Sequence, residues 1–176
     1  MNNLMDISLF EEYATLCSMT KKEIVACYEP EIKALAERQG MRWEECLVTL
    51  RAYYGGYHFS ESDEVVYNPG GLLSALFSKR FLPYWYSMGT PDFLIKRLKS
   101  IGYDTKKFKK EKLYVSKSLL SGFADGSVNP LAVLYQTGYL TIKEYDSKRN
   151  RYLLGFPNKD VEEGFFACLM PEHIPF

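Results

Sequence analysis

An asparagine or threonine followed directly by proline occurs three times in this chain, at Asn68–Pro69, Thr90–Pro91 and Asn129–Pro130, each time ahead of an apolar stretch. The first residue of each pair supplies a side-chain oxygen for an unsatisfied helical N–H. The proline has its φ preset for the first helical position and no N–H to lose. The pattern predicts helices over LLSALFSK, DFLIKRLKS and LAVLYQTG. Thr20 with Glu23 three residues later is a capping box, so a helix starts there, carrying Ile24, Tyr28, Ile32 and Leu35 at helical spacing. Pro30 should interrupt it and Gly40 should stop it. From about Arg42 a further helix places Trp43, Cys46, Leu47, Leu50 and Tyr54 on one face, and Asn158 caps a last helix, KDVEEGFFACLM.

Extended segments are fewer. YHFSESDEVVYNPGG reads as two short extended pieces around a polar turn at SESD, and KLYVS as a short strand. TIKEY and RYLLGF, separated by DSKRN, form a β-hairpin with a basic tip. The expected fold class is α+β and mainly α-helical. A helical lid-like lobe over residues 1–102 would be followed by a winged-helix-like helix, hairpin and helix over 103–176, with one continuous domain as the alternative.

With 47% hydrophobic and 15% aromatic residues, the 176-residue chain has ample material for a core. Its apolar runs are far shorter than the roughly 18 residues a membrane span needs. The N-terminus carries acids and shows no basic start followed by an apolar stretch, so no secretory signal is expected. Cys17, Cys27, Cys46 and Cys168 have no CxxC spacing and only His58 and His173 beside them, which argues for reduced thiols in a cytoplasmic protein and against zinc. Net charge is zero but unevenly spread. Residues 1–64 hold 6 Lys/Arg against 12 Asp/Glu, residues 65–151 hold 15 against 6, and residues 152–176 hold 1 against 4. A basic middle between acidic ends suits a polyanion surface, or two parts of one fold that attract each other.

Several chemistries lack their residues. No GxxxxGK[ST] phosphate loop occurs, and neither glycine pair, 55–56 or 70–71, is followed by its lysine. HExxH and GxSxG are absent, and the nuclease-type triplet Glu31–Ile32–Lys33 lies on a helical pattern. YYGGYHF remains, with Tyr54, Gly55, Gly56, Tyr57, His58 and Phe59. His58 could titrate near neutral pH and Tyr57 could donate to a ligand. The structural alternative is a corner, where Gly-Gly stops a helix at positive φ while the rings clamp it into the core. Asn68 and Pro69 belong with the structural residues as a helix start. For nucleic acid, the candidates are Lys106, Lys107, Lys109 and Lys110 in KKFKKEK, with Lys148, Arg149 and Arg151 at the hairpin tip; a solvated loop is the competing reading.

YYGGYHF, VYNPGGLLSAL, PYWYSMGTPDFLIKRL and LAVLYQTGYLTIKEYDSKRNRYLLGFPNKDVEEGF, in that order, resemble segments of the bacterial AAA-ATPase-like proteins. LYQTGYLTI followed by GFPN is the most specific part. Such proteins typically carry an N-terminal P-loop core and end in a PD-(D/E)xK nuclease-like domain. The resemblance runs from about Leu4 to Pro171 and covers only the part of the ATPase-like domain beyond the phosphate loop and metal-binding strand. It implies a non-catalytic lid and winged-helix-like portion with no catalytic, metal or cofactor residue of its own. ATP and magnesium would bind only an intact parent. The expected partner is an ATPase core, in cis or in trans. Apart from the resemblance, the residues leave two alternatives, a nucleic-acid-binding module using the 106–112 loop and the 147–151 hairpin tip, and a protein-interaction module that could pair with a second copy of the chain; no membrane is expected. Gly55 stands where the family usually has Asp, and Gly70–Gly71 replace a commonly bulkier, more polar pair, which weakens a polar role for residues 53–59.

Overall fold

A computed structural model describes residues 9–61, 64–87, 96, 98–100, 104, 107–120 and 129–169. Through these the chain runs β1 (Met19–Thr20), α1 (Lys21–Gln39), α2 (Trp43–Tyr54), β2 (Val66–Tyr67), α3 (Pro69–Ser78), α4 (Tyr84–Ser87), α5 (Lys107–Lys110), β3 (Leu113–Ser116), α6 (Lys117–Leu120), α7 (Pro130–Gln136), β4 (Thr141–Asp146), β5 (Arg151–Gly155) and α8 (Lys159–Leu169). The protein is α+β and mainly α-helical.

The predicted caps are in place. The Thr20 hydroxyl accepts from the Glu23 N–H at 3.3 Å, while the Glu23 carboxylate accepts from the Thr20 N–H at 2.8 Å. Asn68 Oδ1 accepts from Gly70 N and Asn129 Oδ1 from Leu131 N, each at 2.9 Å. Asn158 Oδ1 accepts from Val161 N at 3.1 Å. The Thr90–Pro91 start lies outside the described residues. Proline in α1 produces a kink, with Tyr28 at φ −128°, ψ 24°, and Gly40 ends the helix in the left-handed region at φ 65°.

Two clusters of buried side chains form. The first gathers Ile24, Ile32 and Leu35 of α1, Cys46, Leu50 and Tyr54 of α2, and Leu72, Ala75 and Leu76 of α3. Burial pushes the Cys46 thiol up to about 11, so it remains an inert member of the core. The second gathers Val115, Leu134, Leu140, Ile142, Tyr152, Leu154, Val161 and Phe165, and it also takes Tyr57, Val66 and Leu98 from earlier in the chain.

Its sheet is antiparallel with order β3-β5-β4: Leu113 faces Leu154 and Ser116 faces Arg151 across one seam, and a bulge interrupts the other between Ile142 and Glu144. The order there is strand, helix, helix, then a hairpin whose last strand lies between the other two. A second small sheet pairs β1 with β2, and Val66 also bridges Tyr57. This pairing carries no sequence signal, because two-residue strands show no alternation to read. No described helix is long and apolar enough to cross a membrane.

Candidate functional site: the corner at Gly55–Gly56

Helix α2 ends at Tyr54, whose ring is fully buried. Its phenol donates to the Leu82 carbonyl at 3.0 Å and accepts from the Leu82 N–H at 3.1 Å, closing the loop after α3 onto α2. Gly55 is extended, with φ −92° and ψ −160°, so the expected positive φ belongs to Gly56 alone, at 86°. A Cβ on Gly56 would sit 2.1 Å from the Pro157 carbonyl oxygen, closer than any real contact allows. Gly56 stands here because the segment at Pro157 passes directly over it, whereas a Cβ on Gly55 would meet the Arg51 carbonyl at 2.9 Å.

Asn158 fastens that segment twice. Its Oδ1 caps α8, and its Nδ2 donates to the Gly55 carbonyl at 2.7 Å. His58 fastens the other side. Its N–H donates to Thr141 Oγ1 at 2.8 Å, and that hydroxyl donates back to the His58 carbonyl at 2.9 Å. The ring Nδ1 lies 3.1 Å from the Ile142 carbonyl oxygen. A carbonyl only accepts, so Nδ1 carries the hydrogen. Tyr57, 5% exposed, donates to the Gly138 carbonyl at 3.3 Å and packs on Phe59 and Trp85. Burial, then the nearby Asp160 charge, raises the Tyr57 phenol well above the ordinary tyrosine value.

Asp160, in the first turn of α8, is the buried acid of the corner, 1% exposed. Its Oδ1 accepts from the Trp85 N–H at 2.8 Å, joining α8 to α4. Burial drives its carboxyl up to about 6, the Trp85 bond opposes this, and Glu163 adds to it. Gly71 of α3 makes the approach feasible: a Cβ there would meet Tyr54 Cδ1 at 2.9 Å and Asp160 Oδ2 at 3.0 Å. Sequence reasoning missed Asp160, since a single acid in a first helical turn reads as a solvated dipole partner.

The corner is closed. Two shallow surface depressions, one lined by Leu9, Phe10, Glu11, Glu61 and Lys117 and one by Lys159, Glu162, Glu163 and Phe166, include none of its residues. No group of three metal-ligating side chains occurs among the described residues. Asn68 and Pro69, expected as structural, start α3 beside the corner, and the Asn68 N–H donates to the Tyr54 carbonyl at 2.9 Å.

The nucleic-acid candidates fall on two parts of the second core's sheet region. Antiparallel pairing of β3 with β5 sets Lys112 at the Leu154 end and the hairpin tip at the Ser116 end. Three strand steps, roughly 10 Å, separate Lys112 from the strand end nearest the tip. Lys106 lies outside the described residues; Lys107 is exposed, and Lys109 and Lys110 follow it in α5. At the tip, Asp146 accepts from Arg151 Nε at 3.0 Å and pairs with Arg149 at 3.5 Å. Arg151 also lies 3.8 Å above the Tyr114 ring. Lys148 is exposed. Helix α7 has the sequence PLAVLYQ and no cation.

No protein-family model matches the chain, and no solved structure matches it. A protein of Azotobacter chroococcum mcd 1, named "Uncharacterized protein in vnfD 5'region", is 33% identical to it over 177 residues, covering 99% of this chain. The chain spans 32% of that relative's length.

Proposed function

We propose that this chain is the non-catalytic lid and winged-helix-like part of an AAA-ATPase-like protein, packing on or regulating an ATPase core that it does not itself contain. The observation that carries this reading is the closed corner. Gly55 is bonded to Asn158 and His58 to β4 across the joint, while Tyr54 bonds Leu82 on one side of it and Tyr57 bonds Gly138 on the other. A junction tied across by such bonds transmits orientation between two packed bodies. The greater length of the Azotobacter relative is compatible with further domains beside such a unit. In an intact parent, ATP and magnesium would then act at the core, and rotation of this unit would report the nucleotide state. Isothermal titration of the chain with ATP and magnesium tests the reading. No binding in the micromolar range is expected, and micromolar affinity for this chain alone would refute it.

The winged-helix-like order of strand, helices and hairpin keeps nucleic acid as the second reading. Contact would run through Lys148 and the α5 lysines and along the phosphate backbone, because α7 has no cation to offer a base edge. Fluorescence anisotropy with duplex DNA at two salt concentrations separates the two readings. Measurable affinity that falls steeply with salt, and that is lost on replacing Lys107, Lys109 and Lys110 by Ala, favours this second one.

A further inference from the structure

Large apolar side chains lie open to solvent in two patches. Helix α3, PGGLLSALFS, carries no charge on any face, and a helix apolar all round is ordinarily covered on every side. Its inner face packs Leu72, Ala75 and Leu76 into the first core. Its outer face presents Leu73 and, one turn on, Phe77, which is 93% exposed; Leu82 is exposed just beyond. The second patch is the segment before β1. There the N–H groups of Tyr13, Ala14 and Leu16 donate to the carbonyls of Phe10, Glu11 and Tyr13, each at 3.1 Å. Such i to i+3 bonding brings every third side chain into line, so Phe10, Tyr13 and Leu16 form a ridge roughly 12 Å long. All three are exposed, Leu16 at 74%.

The charges beside the two patches are opposite in sign. Glu11 and Glu12 stand at the Phe10 end of the ridge, and Lys79 and Arg80 stand just past Phe77 at the end of α3. All four are exposed, and none belongs to an ion pair among the described residues. Within one molecule the ridge does not cover α3, since both stay open to solvent. The ridge is also tied down at both ends: Leu9 packs on the second core, Ala14 is buried, and Met19 enters β1, which is paired with β2. A second molecule is under no such tether.

We propose that the outer face of α3 takes the Phe10–Leu16 ridge of a second copy of this chain. The ridge lies antiparallel to α3, which sets Phe10 and its two acids over Phe77 and its two cations, with Leu16 toward Leu73. The lengths agree, since Leu73 to Lys79 spans roughly 9 Å against roughly 12 Å of ridge. Charge selects this occupant and this direction. A parallel ridge would carry its acids away from Lys79 and Arg80, and α3 docked on α3 would leave every cation unmatched. The contact takes Phe77 and Leu16, the two most exposed large apolar side chains, out of water. Patches of this length bury less than the roughly 1,200 Å² of standard interfaces, so the affinity belongs in the micromolar range. The docking does not depend on the ATPase reading, since it uses side chains of this chain alone.

Sedimentation velocity of the whole chain from about 5 to about 500 μM tests this, and the weight-average mass should rise with concentration. Phe77→Asp and Leu16→Asp should each weaken association about tenfold or more. Their circular-dichroism melts should match the wild type, because both side chains are open to solvent in the single molecule; a loss from misfolding therefore stays distinguishable. The decisive arm exchanges charge. Glu11→Lys with Glu12→Lys sets like charges against Lys79 and Arg80, and Lys79→Glu with Arg80→Glu does the same against the acids, so neither double variant should associate alone. In an equimolar mixture every ridge finds an α3 of opposite charge, and association should return. A wild-type chain that stays monomeric throughout, association that survives Phe77→Asp, or a mixture no more associated than its folded components would overturn the docking.

Discussion

Gly56 and Gly40 both sit at positive φ, 86° and 65°, yet their substitutions should differ sharply. At Gly40 nothing lies within 4 Å of an added Cβ, so Gly40→Ala should cost only the left-handed strain, about 1–2 kcal/mol. At Gly56 the same strain is joined by a collision with the Pro157 carbonyl, which is backbone and cannot rotate away. Gly56→Ala should therefore cost at least about 3 kcal/mol, and the difference between the two urea midpoints measures it. Asn158→Ala belongs to the same seam. It removes a helix cap and leaves the Gly55 carbonyl without its side-chain donor, so a loss of about 2–3 kcal/mol is expected by the same measurement. An Asp at position 55 would bring a side chain onto the Arg51 backbone, where a Cβ already meets the Arg51 carbonyl at 2.9 Å.

At the scale of elements, α8 meets α2, α3 and α4 around Asp160, and the charge of that carboxyl opposes the packing. Its folded value of about 6 stands above its ordinary 3.8. The native state then holds the proton more tightly than the unfolded chain does. The stabilisation is complete below 3.8 and is lost as pH rises through about 6, an upper-bound swing of about 3 kcal/mol. Thermal melts should show a rise in stability as pH falls from about 7 to about 5. In Asp160→Asn, which still accepts from the Trp85 N–H, that contribution should vanish; an unchanged pH profile in the variant would assign it elsewhere. The elements themselves were legible from sequence wherever the signal was local: Thr20, Asn68, Asn129 and Asn158 all cap as their spacing indicated. The joints between the elements were not legible. Asn158 also bonds Gly55, 103 residues away, and Asp160 finds the Trp85 N–H 75 residues away. Such partnerships are set by packing and leave no periodicity. The glycine pair and flanking rings of YYGGYHF offered the corner as one of two readings, but nothing in the sequence pointed to the segment crossing it.

Over the whole molecule the two cores share a wall. Tyr54 closes the first, Tyr57 enters the second, and only two glycines lie between them. A joint so short couples the cores' unfolding as long as the Gly56–Pro157 and Gly55–Asn158 contacts hold. The chain's two tryptophans report on each side, since Trp43 packs on the first core and Trp85 on the second. With Trp85→Phe the fluorescence follows the first core, and with Trp43→Phe it follows the second. The denaturation midpoints of each core, measured against far-ultraviolet circular dichroism of the same variant, should coincide. Introducing Asn158→Ala into both backgrounds should separate them, with the Trp85-reported transition moving first, because α8 loses its cap on that side of the joint. Distinct midpoints before Asn158 is replaced would show that the corner links two bodies without coupling their stabilities.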